Sequence, residues 1–146
     1  EEFSKKISTN YKLQITNLEH AKPTMPHQFG MYLNSKWHQL EAKENIIKTD
    51  PIGILDITIL QENILSSLLD IKDPRTDKRI DFVGGIRGLE ELQRRVDSGE
   101  MKVAFALFPV SLKQLMDIAD SGNIMPPKST WFEPKLRDGL FSHLFE

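Results

Sequence analysis

Residues 125–137, Met125-Pro126-Pro127-Lys128-Ser129-Thr130-Trp131-Phe132-Glu133-Pro134-Lys135-Leu136-Arg137, pack two hydroxyls and three cations among prolines and aromatics. Proline pre-sets an extended backbone, so polar groups between prolines have little conformational entropy left to lose on binding. Lys128, Lys135 and Arg137 beside Ser129 and Thr130 have the chemistry of a phosphate or carboxylate cradle. An extended segment held by Trp131 and Phe132, with its cations in water, fits the same residues. The second candidate is Phe82-Val83-Gly84-Gly85-Ile86-Arg87-Gly88. Gly84 and Gly85 would let backbone amides approach a ligand, and the following helix start would offer unpaired N–H groups to an anion. Arg87 would add a planar, bidentate contact. The spacing is neither a Walker A loop nor the dinucleotide fingerprint, and a plain strand-to-helix turn is the simpler reading.

Asp56, Glu62, Asp73, Asp77 and Asp81 are the acids that could hold a hard cation such as Mg²⁺. The Asp73-Pro74-Arg75-Thr76-Asp77 segment lacks the glycine and terminal glutamate of a calcium loop. Asp56 stands apart because it interrupts an apolar run and must find a partner if buried. A capping or hydrogen-bonded structural acid is the ordinary outcome there. His20, His27, His38 and His143 show no metal-type pairing at i, i+4, and loop or strand-end histidines are usually solvated. No nucleophile elbow surrounds Ser129. Glu90, Glu91, Arg94 and Arg95 read as a solvated helix face.

Composition limits the classes of function. The chain has 146 residues, 39% hydrophobic and 27% charged, as expected of one globular domain. Nineteen Lys+Arg against twenty-one Asp+Glu leave a net charge of −2, which gives no field for a nucleic-acid backbone. With no cysteine, disulfides and thiolate chemistry are excluded. No apolar run approaches the roughly 20 residues of a membrane helix, so a cytoplasmic protein is expected. A chain opening on Glu1 is expected to be part of a longer one.

The elements that must position these groups follow from periodicity. Phe3, Ile7 and Tyr11 predict a helix over 1–10, and Leu13 and Ile15 an ensuing strand. Pro23 and Pro26 make 17–28 a loop. Phe29–Leu33 and Trp37–Leu40 about Asn34-Ser35-Lys36 predict a hairpin. Residues 41–51 read as a connector, and 52–59 as a strand passing into a helix over about 58–70. Ile80–Val83 reads as a short strand. Two helices, from Leu89 and from Leu112, each end at an Asp-Ser-Gly whose glycine supplies the left-handed stop, and Ser111 is placed to cap the second. Met101–Phe108, almost continuously apolar, predicts a central strand buried on both faces. The expected class is α+β: a mixed β-sheet with helices packed mainly on one face, after an opening helix and a β-hairpin.

Gly53-Ile54-Leu55-Asp56, Asp81–Gly85, Ala104-Phe105, residues 27–37 and above all residues 125–140 resemble the domain of unknown function 1015 family. Its bacterial and archaeal members are often labelled ParB-like. The likeness is to roughly the last third of those longer proteins, whose N-terminal Asp-Gly-His-His-Arg motif is absent here. It implies phosphoryl transfer on serine or phosphoserine in the full-length protein, with nucleotide and Mg²⁺ as its cofactors and none held by this part alone. The missing N-terminal region of the same chain and a phosphorylated or carboxylated small molecule are the implied partners. Carried onto this chain, the matching positions are Lys128, Ser129, Thr130 and Lys135, with Asp56, Gly84 and Gly85 as weaker ones. The rival readings are a ParB-like DNA-binding regulator, which the charge balance disfavours, and a homodimerisation domain using Met101–Phe108 and the helix around Met116.

Overall fold

The computed structural model describes residues 2–127 of the chain. Helix α1 (Glu2–Asn10) leads directly into strand β1 (Tyr11–Thr16). After the loop come β2 (Gln28–Leu33) and β3 (Lys36–Ala42), then α2 (Asp56–Leu60), which continues as a π-helical stretch (Gln61–Ser66). A short 3₁₀ turn (Glu44–Ile46) follows β3, and another (Gly85–Arg87) introduces α3 (Gly88–Asp97), followed by β4 (Val103–Leu107) and α4 (Leu112–Asp120). The strands form one sheet in the order β1-β3-β2-β4.

The β2–β3 hairpin is the centre of this sheet. Asn34 and Ser35 both take positive φ, 50° and 58°, as a two-residue turn matched to strand twist requires. That turn sets Tyr32 opposite Trp37 and Phe29 opposite Leu40. Strand side chains alternate between faces. Phe29, Met31 and Leu40 therefore enter one core with Ile7, Tyr11, Ile59, Ile64 and Leu65 from α1, β1 and α2. Tyr32 and Trp37 enter a second core with Ala21 and Ala104, packed by Leu89, Leu92 and Val96 of α3. Tyr11 and Phe29 meet edge to face at 5.6 Å in the first core. In the second, Tyr32 and Trp37 are tilted at 4.9 Å. Each fully buried large side chain is worth about 1.5–3 kcal/mol of transfer free energy.

The α+β class is as read from the sequence, with differences in detail. All three strand pairings are antiparallel, so the sheet is not mixed. The helices divide between its faces, because the hairpin carries large apolar side chains on both. Strand β4 is an edge strand among the described residues, not a central one. Its run is apolar because Val103, Phe105 and Leu107 face one core while Ala104 faces the other. Ile80–Val83 forms no strand. Those residues have no ladder partner. Arg79 instead binds the Leu69 and Asp70 carbonyls, and the Asp81 carboxylate is held by Arg95. Helix α2 begins at Asp56, two residues before the expected start, and its last turns widen. Ser111 caps α4 in a reciprocal capping box with Gln114, and Gly99 and Gly122 (φ 80° and 70°) stop α3 and α4 as expected.

Gly30 shows how tightly the second face is covered. A Cβ there would run into the Ala21 backbone carbonyl and touch Ala106. Gly30→Ala is expected to lower the unfolding free energy by about 1–3 kcal/mol through overpacking. Ser35→Gly, which relieves a left-handed residue, should raise it by about 0.4–1 kcal/mol. Urea unfolding of both variants checks this; a Gly30→Ala protein as stable as the parent would show that residues 18–21 are not seated on the sheet.

Candidate functional site

Asp56 is the first residue of α2 and only 7% exposed. Its Oδ1 accepts the backbone N–H of His27 at 2.9 Å. His27 sits at φ 69°, a left-handed conformation that costs a non-glycine residue about 1–2 kcal/mol. The neighbouring bonds hold it there. Its Nε2 donates to the Ile54 carbonyl at 3.2 Å, and its own carbonyl accepts from Ala42 of β3 at 2.9 Å. The second carboxylate oxygen, Oδ2, is buried without a hydrogen bond of normal geometry, although the Phe108 amide faces the group. Beside Asp56 is a void of about 10 Å³ lined by Pro26, Leu55, Phe108, Pro109 and Gln114. That is room for one water.

Burial pushes the Asp56 carboxyl up from its ordinary value, and the His27 and Phe108 amides pull it part of the way back. Burial also pushes up the Tyr11 hydroxyl, with the Asp56 charge adding to the effect. The Tyr11 hydroxyl donates to the Ile59 carbonyl at 3.3 Å. A raised carboxyl beside a water-sized void can exchange a proton. The void has no room for a substrate. Asp56 is thus the knot joining the 26–27 turn, the start of α2 and the segment between β4 and α4.

The acids considered for Mg²⁺ are not brought together. Glu62 pairs with Lys48 at 2.6 Å, Asp73 with Arg75 at 2.8 Å, Asp77 with Arg79 at 2.6 Å, and Asp81 with Arg95. The Arg75 guanidinium lowers Asp73 to about 2. Glu91 is likewise lowered to about 2 by Arg94 and Arg95. No three or more His, Asp and Glu converge as a metal site among the described residues.

At the second candidate, Gly84 has ordinary extended backbone (φ −61°, ψ 136°), and a Cβ on Gly85 would meet nothing within 4 Å. The turn is open at Gly85, and neither Gly84 nor Gly85 has a positive φ that would need glycine. Gly88, at φ 73°, does, and the Glu90 carboxylate folds against it. An anion approaching the α3 start therefore meets Glu90 as well as Arg87. Arg87 is exposed and makes no side-chain hydrogen bond or ion pair among the described residues, though its charge helps hold Asp81 low. Asp56 and Gly84–Arg87 lie apart, since α2 packs on one face of the sheet and α3 on the other. Lys128, Ser129, Thr130, Lys135 and Arg137 lie outside the described residues, as does His143.

Other groups differ from the sequence reading. Arg95 is not a solvated helix charge. Its side chain is 14% exposed and binds Glu91, Asp81 and Glu100, tying the 80–84 loop to α3. His38 is buried in β3 with Nδ1 unpartnered, and His27 is half-buried. On the α3 face, Tyr32 donates to Asp97 Oδ1 at 2.9 Å, and Trp37 donates to Gln93 at 3.1 Å. An open groove of about 240 Å³ runs beside these, lined by Leu18, Glu90, Gln93, Arg94 and Asp97. No motif announced it, because its residues come from a loop and one helix face. The His27–Asp56 bond had one sequence signal, the acid within an apolar run.

Among the described residues no helix is long and apolar enough to cross a membrane. Comparison with protein-family models, curated proteins and solved structures finds no match to this chain.

The Asp56 environment gives a pH test. A carboxyl raised on folding makes the native state bind more protons than the unfolded chain, so its contribution is most favourable at low pH. That contribution falls as pH rises from the unfolded value through the raised folded one. The Arg-paired carboxylates Asp73 and Glu91 act in the opposite sense, losing their contribution as pH falls. The stability of Asp56→Asn relative to the parent is therefore expected to improve between about pH 3 and about pH 7. Urea unfolding of both proteins across that range measures the difference, and a pH-independent gap would show that Asp56 ionises as an exposed acid does.

Proposed function

We propose that this chain is a binding module for a phosphate-bearing small molecule. Arg87 and the Gly84–Gly85 turn, open at Gly85, would meet the anion from one side. Lys128, Ser129, Thr130, Lys135 and Arg137 would meet it from the segment after α4. The observation that carries this reading is the state of the arginines. Five fall among the described residues, and Arg75, Arg79, Arg94 and Arg95 are all committed to carboxylates. Arg87, in the glycine-rich turn, is the exception. A guanidinium that makes no ion pair among the described residues keeps both edges of its fork for a bidentate oxyanion contact.

The resemblance to the domain of unknown function 1015 family extends the proposal. In a longer cytoplasmic protein, the N-terminal region would supply the groups that act on serine or phosphoserine, and this module would hold the phosphoryl oxygens. Its part in the chemistry is charge stabilisation: cations and hydroxyls placed against developing negative charge. The carboxylates of the described residues do not form a cradle for Mg²⁺, and no step is assigned to one.

Calorimetric titration of the chain with phosphoserine and with inorganic phosphate tests this. Saturable binding is expected, weakened about tenfold by Arg87→Ala and by Lys128→Ala, with the melting temperature unchanged in the Arg87 variant. Arg87→Lys should recover only part of the loss, because an ammonium keeps the charge without the fork. Absent binding, or affinity indifferent to both alanine variants, would refute the assignment.

A further inference from the structure

The turn at 26–27, the start of α2 and the connection between β4 and α4 all close on Asp56. Its two oxygens are served unequally. Oδ1 accepts the His27 amide at 2.9 Å, while Oδ2 is buried without a hydrogen bond of normal geometry, beside the water-sized void. An ionised oxygen so placed is costly. A protonated one carries no charge to solvate and needs a single acceptor, which a water in that void would supply. The closed arrangement therefore suits the neutral carboxyl. Burial favours that form too, and the His27 and Phe108 amides oppose it.

The closed turn is also strained. His27 is held at φ 69°, and Pro26 before it has its own φ fixed by the ring, so relaxation of the turn falls on His27. Gln114 lines the void and caps α4 through Ser111, so water entering there reaches the start of α4. Among the described residues the titratable groups facing Asp56 are His27 on the turn and Tyr11 on β1, and burial keeps the Tyr11 hydroxyl neutral. Residues 108–111 of the β4–α4 connection carry none. We propose that Asp56 is a proton-held latch: neutral, it keeps the His27 turn and the β4–α4 connection closed around it; ionised, it draws water in and both segments open while the sheet stays folded. Solvation in the open form favours the carboxylate, so rising pH drives opening. The latch is independent of the anion-binding reading.

Native-state amide hydrogen exchange from about pH 4 to about pH 8, corrected for the intrinsic pH dependence of exchange, tests it. In the parent, protection of the His27 and Phe108 amides is expected to fall by up to about tenfold per pH unit as Asp56 ionises, while the amides of β3 keep theirs. The chemical shift of the Asp56 carboxyl carbon, followed by NMR in the same protein, should change over the same pH range. Asp56→Asn, neutral at every pH and still able to accept the His27 amide, should show protection that does not vary with pH. His27→Asn, which tolerates a positive φ and does not titrate, should keep the parent's pH dependence. Flat protection in the parent, a fall that survives Asp56→Asn, or one that His27→Asn abolishes would overturn the proposal. So would β3 amides that lose protection together with His27, since the whole chain would then be unfolding.

Discussion

The two-residue turn at Asn34–Ser35 governs this structure, because it sets the register on which both cores depend. A slip of one residue in a strand sends every side chain to the other face. In most two-layer folds such a slip exchanges an apolar face for a polar one. Here both faces of the hairpin are apolar, and what distinguishes them is shape. Phe29, Met31 and Leu40 fit under α1 and α2, while Tyr32 and Trp37 need polar partners. Those partners are Asp97 and Gln93 of α3. Register is therefore enforced by hydrogen bonding as well as by hydrophobicity: slipped by one, the phenol and the indole would be buried without acceptors. Two residues at positive φ are the strained element through which that choice is made.

The second constraint is Asp56. A buried carboxylate is costly unless its oxygens are met by donors. One oxygen is met by an amide that His27 can present only from a left-handed conformation. Two unfavourable features thus hold each other in place, and the His27 carbonyl carries the link into β3 through Ala42. This knot joins segments that are distant along the chain. It also explains why α2 starts two residues earlier than apolar periodicity predicts. Periodicity registers Leu60, Ile64 and Leu65, but the helix is initiated by an acid at its first position, where the dipole favours negative charge.

Local chemistry was readable from the sequence wherever a residue acts on its near neighbours. The hairpin turn, the Ser111 cap and the glycine stops of α3 and α4 all belong to that kind. What was not readable depends on partners far along the chain. Ile80–Val83 has the composition of a strand, but composition cannot say whether a free edge is available to pair with. Arg79 and Asp81 instead tie those residues to carbonyls and to Arg95. Met101–Phe108 has the look of a central strand because both its faces are covered, and burial of two faces does not distinguish the middle of a sheet from its edge. The site candidates divide in the same way. Asp56 was legible as an acid out of place in an apolar run. Its partner was not, since nothing in the type or spacing of His27 marks a left-handed residue whose amide points inward.

Electrostatics sort the remaining surface by what is already committed. The acids that might have gathered a cation are separately neutralised: Glu62 by Lys48, Asp73 by Arg75, Asp77 by Arg79, Asp81 by Arg95. Each pair is short-range in sequence or pins a loop, and exposed pairs of this kind add little stability. Their consequence is to silence charge that would otherwise attract ligands indiscriminately. Against that background Arg87 stands out among the arginines of the described residues, since it makes no ion pair there. Its turn is open at Gly85, while Glu90 folds against Gly88, so the start of α3 carries a carboxylate as well as the guanidinium. A chain with almost balanced charge thus has four of the five arginines among its described residues paired to carboxylates, and the proposed anion site rests on the fifth.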